Sequence, residues 1–327
     1  MGSIEENMVT YKYLCFDHSK FTEKIFNGNP NATKRCRFCG KILDSSHYTK
    51  EAHAISVSLG NTKFFCADEC DSCNAWFGRY LESDVVNFFQ VFLSLYRVSK
   101  RNGDDRVIAG RNFDMTMSDN NEFQSDLPLL KIHMRDWKEG ELPITIENGY
   151  KTELDLTNKT FVLQNVYKAL CKYALSLMPH SVTTRFQPTI DWIKGNKIAT
   201  ELPTLKMAFI DRGRNDPFIK LHFRDSDENT FPFCIVSMII ANCHILYTLP
   251  FCMEKSEEIN TKEQFKLFAD TYIKESETSR VFETVDFSNS NRTGFKVDLD
   301  LKFENGATMY KMQKSDDGKS WITSKNQ

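Results

Sequence analysis

Two CxxC pairs, Cys36/Cys39 and Cys70/Cys73, restrict the fold of this 327-residue chain more than any other feature of its sequence. Thirty residues separate the two pairs. Each pair places two thiolates on one tight turn, and four such sulfurs complete a tetrahedron around zinc at about 2.3 Å. The short elements between the pairs are too small to hold a fold alone. We therefore expect the four cysteines to bind a structural Zn²⁺ ion.

The other six cysteines show no metal-ligand spacing. Cys66 lies between the two pairs and is predicted to be a small, buried, apolar residue. The remaining five lie in apolar surroundings: Cys15, Cys171, Cys234, Cys243 and Cys252. Residues 1–7 are polar and acidic and lack the apolar and small-residue regions of a signal peptide, so we expect a cytoplasmic protein. Disulfides are uncommon in that compartment.

The overall charge of the protein gives it no positive electrostatic field that would attract nucleic acid to its whole surface. The formal net charge is −2, with 42 Lys and Arg against 44 Asp and Glu. Any contact with nucleic acid must therefore come from a local basic face. The longest apolar stretch, 232–251, is long enough for a membrane span, but it contains polar residues and many β-branched and aromatic ones. This composition favours two buried strands, and we expect no membrane partner.

The chain is predicted to have an α+β fold in two domains. Apolar residues recur at helical spacing from Trp76 to about Val98, which predicts a helix behind the second cysteine pair. We predict a zinc-stabilised first domain at 1–102, a linker rich in Asp, Asn, Ser and Gly at 103–126, and a mixed α/β second domain at 127–327. The second domain is predicted to contain helices at 161–178, 188–194 and 262–274, and strands at 204–210, 218–223, 232–251 and 294–303.

The segment between the cysteine pairs predicts a ββα unit. From Glu51 to Gly78 the chain reads EAHAISVSLGNTKFFCADECDSCNAWFG. A short strand carrying His53 is followed by a loop with Gly60 and Asn61, then by a second strand at 63–66. A helix opens at Cys70.

This segment resembles the HNH endonuclease superfamily, and more narrowly the bacterial HNH proteins that carry the pattern EAHxIxxxLGN…DECDxCNxxFG. The resemblance covers about residues 34 to 100. It implies a ββα-metal module that hydrolyses phosphodiester bonds of DNA with a catalytic Mg²⁺ or Mn²⁺ ion. It also implies nucleic acid as the partner, most simply double-stranded DNA, and a role in restriction or anti-phage defence.

The resemblance assigns roles to individual residues. His53 matches the general base that activates water, and Asn74 matches a ligand of the catalytic divalent ion. Asn61 is the candidate for the middle Asn of the family pattern, which orients the base or braces the loop. Most HNH sites carry an acidic metal ligand where this chain has Ala52. Glu51 lies two residues from His53 and would share its face of a regular strand, so it is the first candidate for the missing carboxylate.

The roles of several charged residues remain open at this stage. Asp71 and Glu69, near the helix start, are further possible metal ligands, although acidic residues there also complement the helix dipole. Lys34, Arg35 and Arg37 flank the first pair and are either phosphate contacts or a solvated surface.

A non-catalytic alternative also fits the sequence. Such a protein would be a zinc-stabilised module that binds nucleic acid or protein without cutting, or a regulatory subunit of a defence complex. Ala52 favours this alternative, and the near-neutral charge is compatible with it. A homo-oligomer or a protein partner is possible in either case.

Overall fold

The computed structural model describes residues 11–28, 34–100, 103–118, 129–134, 149–210, 213–225, 232–253, 265–266, 269–270, 273, 281–302, 310–314 and 321–325. Its helices, numbered in chain order, are α1 Asp71–Tyr80, α2 Glu82–Leu95, α3 Leu163–Leu177, α4 His180–Thr183 and α5 Gln187–Ile193. Its strands are β1 Tyr11–Asp17, β2 Ile25–Asn27, β3 Lys34–Arg35, β4 Ile42–Leu43, β5 Phe64–Cys66, β6 Val107–Ala109, β7 Phe113–Ser118, β8 Leu129–Met134, β9 Gly149–Asp155, β10 Phe161–Val162, β11 Leu205–Phe209, β12 Phe218–Arg224, β13 Cys234–Ile240, β14 Cys243–Thr248, β15 Glu283–Val285, β16 Arg292–Thr293, β17 Lys296–Lys302, β18 Tyr310–Lys314 and β19 Trp321–Lys325. The mixed α+β content agrees with the predicted class.

The largest sheet has six strands in the order β1-β12-β13-β14-β11-β15, and all of its pairings are antiparallel. The apolar stretch 232–251 forms the central hairpin β13–β14, as predicted, and almost all of its side chains are buried. Ala241 makes the turn between the two strands with a φ of 52°. Among the described residues, no helix is long and apolar enough to cross a membrane.

Helix α3 connects this sheet to the segment that contains the two cysteine pairs, residues 34–100, which we call the zinc region. It is buried almost all round, and it ends before Pro179 because the residue preceding a proline disfavours helical geometry. Tyr167 of α3 donates a hydrogen bond to Thr248 O at 2.8 Å, and Tyr247 of β14 donates one to Leu170 O at 2.8 Å. These bonds fix α3 against the centre of the sheet, while its other side contacts β5.

The predicted domain boundaries do not match the packing. One continuous hydrophobic core includes Cys36, Phe89, Tyr167 and Val236, so the two halves of the chain share it. Strand β1, which belongs to the predicted first domain, forms an edge of the six-stranded sheet. Pairing of strands distant in sequence has no local signature, so the sequence alone did not indicate this contact.

Two local predictions are also corrected. Part of the predicted linker forms β6 and β7, and its residues Ile108, Phe113 and Met115 pack in a small core with Val91 of α2. Apolar and polar residues alternate in such strands, so the strands contain few apolar residues. Their composition is therefore similar to that of a linker. The helix predicted from 76 to 98 is divided into α1 and α2 at Leu81.

A buried histidine makes stability depend on pH. Burial, together with the charge of Lys220, lowers the pKa of His222 on β12 to about 4. An unfolded histidine has a pKa of about 6.5, so the unfolded state binds more protons in this interval and stability falls as pH falls from 6.5 to 4. Between pH 7.5 and pH 5, we expect the free energy of unfolding of wild type to fall by about 2 kcal/mol more than that of His222→Asn. Urea unfolding of both proteins at both pH values measures this difference, and parallel losses would contradict it.

Candidate functional site

The four cysteines of the CxxC pairs lie together. One ligand atom from each of Cys36, Cys39, Cys70 and Cys73 lies within 4.8 Å of the others, and the Cys39 and Cys70 sulfurs are 3.9 Å apart. The chain turns back after Cys39 because Gly40 adopts a φ of 69° and donates a hydrogen bond to Cys36 O at 2.8 Å. The arrangement is compatible with tetrahedral zinc, as the spacing predicted.

The four thiols lie close enough to shift the pKa values of one another. A hydrogen bond from Cys73 lowers the pKa of the Cys36 thiol to about 4, and burial raises that of Cys70 to about 11. The pKa of Cys73 is also raised, because it donates to Cys36 and lies near the other sulfurs. Four thiolates at these distances repel one another, and a zinc ion offsets the repulsion. Lys194, at the end of α5, adds positive charge by donating to the Cys73 sulfur at 3.7 Å.

Between the pairs, the predicted second strand and helix are present as β5 and α1, but the predicted strand carrying His53 is reduced to a single β-bridge. His53 forms an antiparallel bridge with Phe65 of β5, and backbone bonds on either side join Ala54 N to Phe64 O and Cys66 N to Ala52 O. Helix α1 begins five residues after β5. The His53 side chain is half-buried, and its Nδ1 is buried.

Asn61 has the contacts of a loop brace. Its side-chain amide donates to Ile55 O at 2.7 Å and to Phe64 O at 2.8 Å. Its oxygen accepts from the backbone N–H groups of Lys63 and Phe64 at 3.2 and 2.9 Å. All four bonds close the loop between the strands. Of the two predicted roles, orienting the base or bracing the loop, these contacts match the second.

His53 shares one face of a small sheet with two aromatic rings. Strand β2 pairs in parallel with β5 and aligns Phe26 with Phe65, which itself lies opposite His53. The His53 and Phe65 ring centroids are 4.6 Å apart. The Lys24 ammonium lies 4.9 Å from the Phe65 centroid and reaches Glu51. We call Lys24, Phe26, Glu51, His53 and Phe65 the His53 face.

Glu51, the predicted carboxylate ligand, already binds a cation. Its two oxygens accept hydrogen bonds from Lys24 Nζ at 3.0 and 2.7 Å, and its side chain is 53% exposed. An ion pair as exposed as this contributes about 0–1 kcal/mol, so another cation can displace Lys24 at little cost. Ala52 is buried, and its carbonyl accepts a hydrogen bond from Cys66 N.

Helix α1 is fixed to the segment that precedes Glu51. Asp71 accepts hydrogen bonds from Thr49 N, from Thr49 Oγ1 and from Lys50 N, at 3.1, 2.6 and 3.0 Å. These contacts make Asp71 a structural residue. Asn74 lies three residues further along α1, on the same side of the helix, and is half-buried. Within the described part of the chain, the four cysteines are the one cluster of three or more His, Cys, Asp or Glu side chains close enough to share a metal ion.

Sequence reasoning missed a buried network of charges behind this face. The Arg37 side chain is 0% exposed and donates to both oxygens of Asp68, at 2.6 and 3.0 Å. It also donates to three carbonyls at the end of α3, those of Leu175, Ser176 and Met178. Arg37 is therefore neither a phosphate contact nor part of a solvated surface, because its guanidinium connects the first cysteine turn to α3.

The second part of the network contacts the His53 strand. Lys172 of α3 lies 3.1 Å from a carboxylate oxygen of buried Glu69 and donates to His53 O at 2.8 Å. Burial raises the pKa of Glu69 to about 7, against the opposing charge of Lys172. Glu69 thus has its own partner and is not available as a catalytic-metal ligand. The position of Lys172 between Cys171 and Tyr173, in a helix whose pattern predicts burial there, was the one sequence signal for this pair.

Comparison of the chain with protein-family models, with curated proteins and with solved structures finds no match. The fold and the site define an α+β protein with a four-cysteine cluster whose geometry is compatible with zinc. Any assignment of function therefore depends on the chemistry of the zinc region and of the His53 face.

Proposed function

We propose that this protein is a metal-dependent endonuclease that hydrolyses phosphodiester bonds of DNA at the His53 face. One observation carries the proposal. His53 makes an antiparallel bridge with Phe65 of β5, Asn61 braces the loop between them, and β5 is followed by α1, which carries Cys73. That order of elements and residues is what the resemblance to HNH endonucleases implies.

His53 acts as the general base. A neutral imidazole accepts a proton from water near pH 7, and the buried Nδ1 leaves Nε2 as the nitrogen that we assign to this role. The position of His53 is held by backbone bonds from its neighbours and by the Lys172 bond to its carbonyl. A base held this firmly loses little entropy when the substrate binds.

Glu51 and Asn74 are the residues that would hold the catalytic ion. A bound Mg²⁺ or Mn²⁺ supplies stabilisation of the charge on the phosphate and the leaving oxygen. The exposed Glu51 carboxylate already attracts a cation in the form of Lys24. Glu51 would hold such an ion in place of Lys24, and the Lys24 ammonium would then be available to a substrate phosphate.

A specific observation also favours the non-catalytic alternative. Ala52 supplies no metal ligand, and Glu51 is paired with Lys24. With Lys24 held there, the same zinc-stabilised hairpin would bind nucleic acid or a protein partner without cutting it. A role in restriction or anti-phage defence, as nuclease or as regulatory subunit, rests on analogy with HNH proteins.

Plasmid nicking by two histidine variants tests the proposal. We expect His53→Ala to slow the nicking of supercoiled plasmid in Mg²⁺ or Mn²⁺ by about 10²- to 10⁴-fold, the usual contribution of a general base. His47→Ala is the matched control, because His47 is exposed and contacts Asp44 and Ser46. This variant should cut at the wild-type rate.

Two results would overturn the nuclease proposal. One is equal cutting by wild type and His53→Ala. The other is the absence of metal-dependent nicking by a wild-type protein that retains its zinc, and this result would support the binding alternative. Zinc content is measured after each chelator treatment, so that loss of the structural ion is not mistaken for loss of the catalytic one.

A further inference from the structure

The His53 face carries an aromatic side chain that the proposed reaction does not use. Phe26 lies on β2 directly beside Phe65. The two rings are stacked, with centroids 5.0 Å apart and planes inclined by 24°. One side of the Phe26 ring therefore packs on Phe65, yet Phe26 remains 46% exposed to solvent. A planar group placed on that exposed side would continue the stack.

Lysines surround the exposed ring. A pocket of about 150 Å³ adjoins Phe26, and Lys34, Tyr48 and Lys50 also line it. The Lys34 ammonium lies 4.9 Å from the centroid of the Tyr48 ring. Lys24, the cation above Phe65, lies on the same face. An aromatic ring flanked by cations is the combination that binds a base and the phosphates on either side of it.

The acidic groups at this pocket are already matched by lysines. Glu51 and Glu69 both line the pocket. Glu51 is paired with Lys24, and Glu69 is paired with Lys172. Asp71 lies outside the residues that line the pocket, although it accepts a hydrogen bond from Lys50 N. Among the lining residues, Lys34 and Lys50 are therefore the cations available to contact a phosphate backbone.

We infer that Phe26 is a stacking platform for an unpaired base, and that single-stranded DNA is the nucleic acid that this face binds. This inference rests on the proposed function and narrows its substrate. Phe26 can stack only on a base whose flat side is open, whereas bases in a duplex are stacked on one another. Duplex binding draws its affinity from many phosphate contacts, and a chain with a net charge of −2 has no broad basic field to supply them.

Binding is measured in the His53→Ala background without added divalent metal, so that cutting plays no part. The probes are a fluorescein-labelled oligothymidine of about 20 nucleotides and a duplex of the same length, followed by fluorescence anisotropy. We expect the single strand to bind more tightly than the duplex. We expect Phe26→Ala to weaken single-strand binding by about 5- to 150-fold, the range for loss of one base–aromatic stack. Phe26→Tyr should retain wild-type affinity.

Phe209→Ala provides the matched control. Phe209 is also a largely exposed phenylalanine, on β11, where it contacts Phe92. Its removal should leave binding of the oligothymidine unchanged. In Phe26→Trp, the emission of the added indole should be quenched by the single strand and not by the duplex. This readout keeps the test decisive if Phe26→Ala lowers zinc content.

Three outcomes would overturn the inference: tighter binding of the duplex, equal single-strand binding by Phe26→Ala, or equal single-strand losses in Phe26→Ala and Phe209→Ala. Its failure is distinguishable from failure of the proposed function. A protein that binds the oligothymidine through Phe26 but cuts no DNA would retain this inference and lose the nuclease proposal. If wild type cuts plasmid and Phe26→Ala binds the oligothymidine as tightly as wild type, the nuclease proposal is retained and this inference is lost.

Discussion

Replacing Cys36 with serine is expected to release zinc and unfold the region between residues 34 and 100. The free energy of structural zinc binding is about 10–16 kcal/mol in small cysteine-ligated domains, and that binding energy is folding energy where the elements are short. Here Phe38 lies between the first two cysteines, Phe77 lies one turn after Cys73 on α1, and both belong to the shared core, so unfolding of this region exposes apolar surface of α3 as well. Zinc content should fall from about one equivalent to near zero. Circular dichroism should show a lower thermal midpoint.

Cys66→Ser is the matched control for this prediction. Cys66 is as buried as Cys36, but its sulfur donates a hydrogen bond to Asp68 at 3.3 Å and lies outside the four-sulfur cluster. This variant should keep its zinc. Full zinc occupancy in Cys36→Ser, or equal loss in both variants, would show that the four cysteines are not the ligand set.

Replacing Arg37 with methionine is expected to lower the free energy of unfolding by about 3–5 kcal/mol, the usual cost of removing one partner of a buried ion pair. The variant leaves Asp68 without its bidentate cation and leaves carbonyls at the end of α3 without a donor. Burial opposes ionisation of Asp68, but hydrogen bonds and attraction from Arg37 hold its pKa below the usual value. Methionine preserves much of the side-chain volume, so the loss reports mainly on charge and hydrogen bonding.

Urea unfolding of zinc-loaded protein measures this loss. Arg35→Met is the control, because Arg35 is exposed and donates one hydrogen bond to Gly40 O. Its effect should stay within about 0.5 kcal/mol. Adding Asp68→Asn to Arg37→Met should recover part of the loss, since the uncompensated charge is then gone. An Arg37 variant as stable as the Arg35 variant would contradict the structural role of the network.

Much of the zinc region could be predicted from the sequence because its signals are local. CxxC spacing brings two sulfurs together through one turn, wherever the rest of the chain lies. Alternation and helical periodicity likewise predicted the hairpin that contains Phe64, the helix α3 and the buried strands at 232–251, because each pattern reports burial within one element. Asn61 could be singled out from the sequence because a glycine–asparagine pair in a short loop is a local feature.

The tertiary structure alone decided which charges are available at the site. Glu51 meets Lys24, a partner 27 residues away, and Arg37 meets the end of α3 about 140 residues away. Neither pairing has a signature in the spacing of the residues, because it depends on how separate elements pack. For the same reason β1 joined strands of the second half of the chain, and the two predicted domains share one core. The sequence by itself determined the cluster of four cysteines and the position of α1 behind it, because both depend on local spacing. Long-range packing determined which charged groups near the cluster are paired with one another.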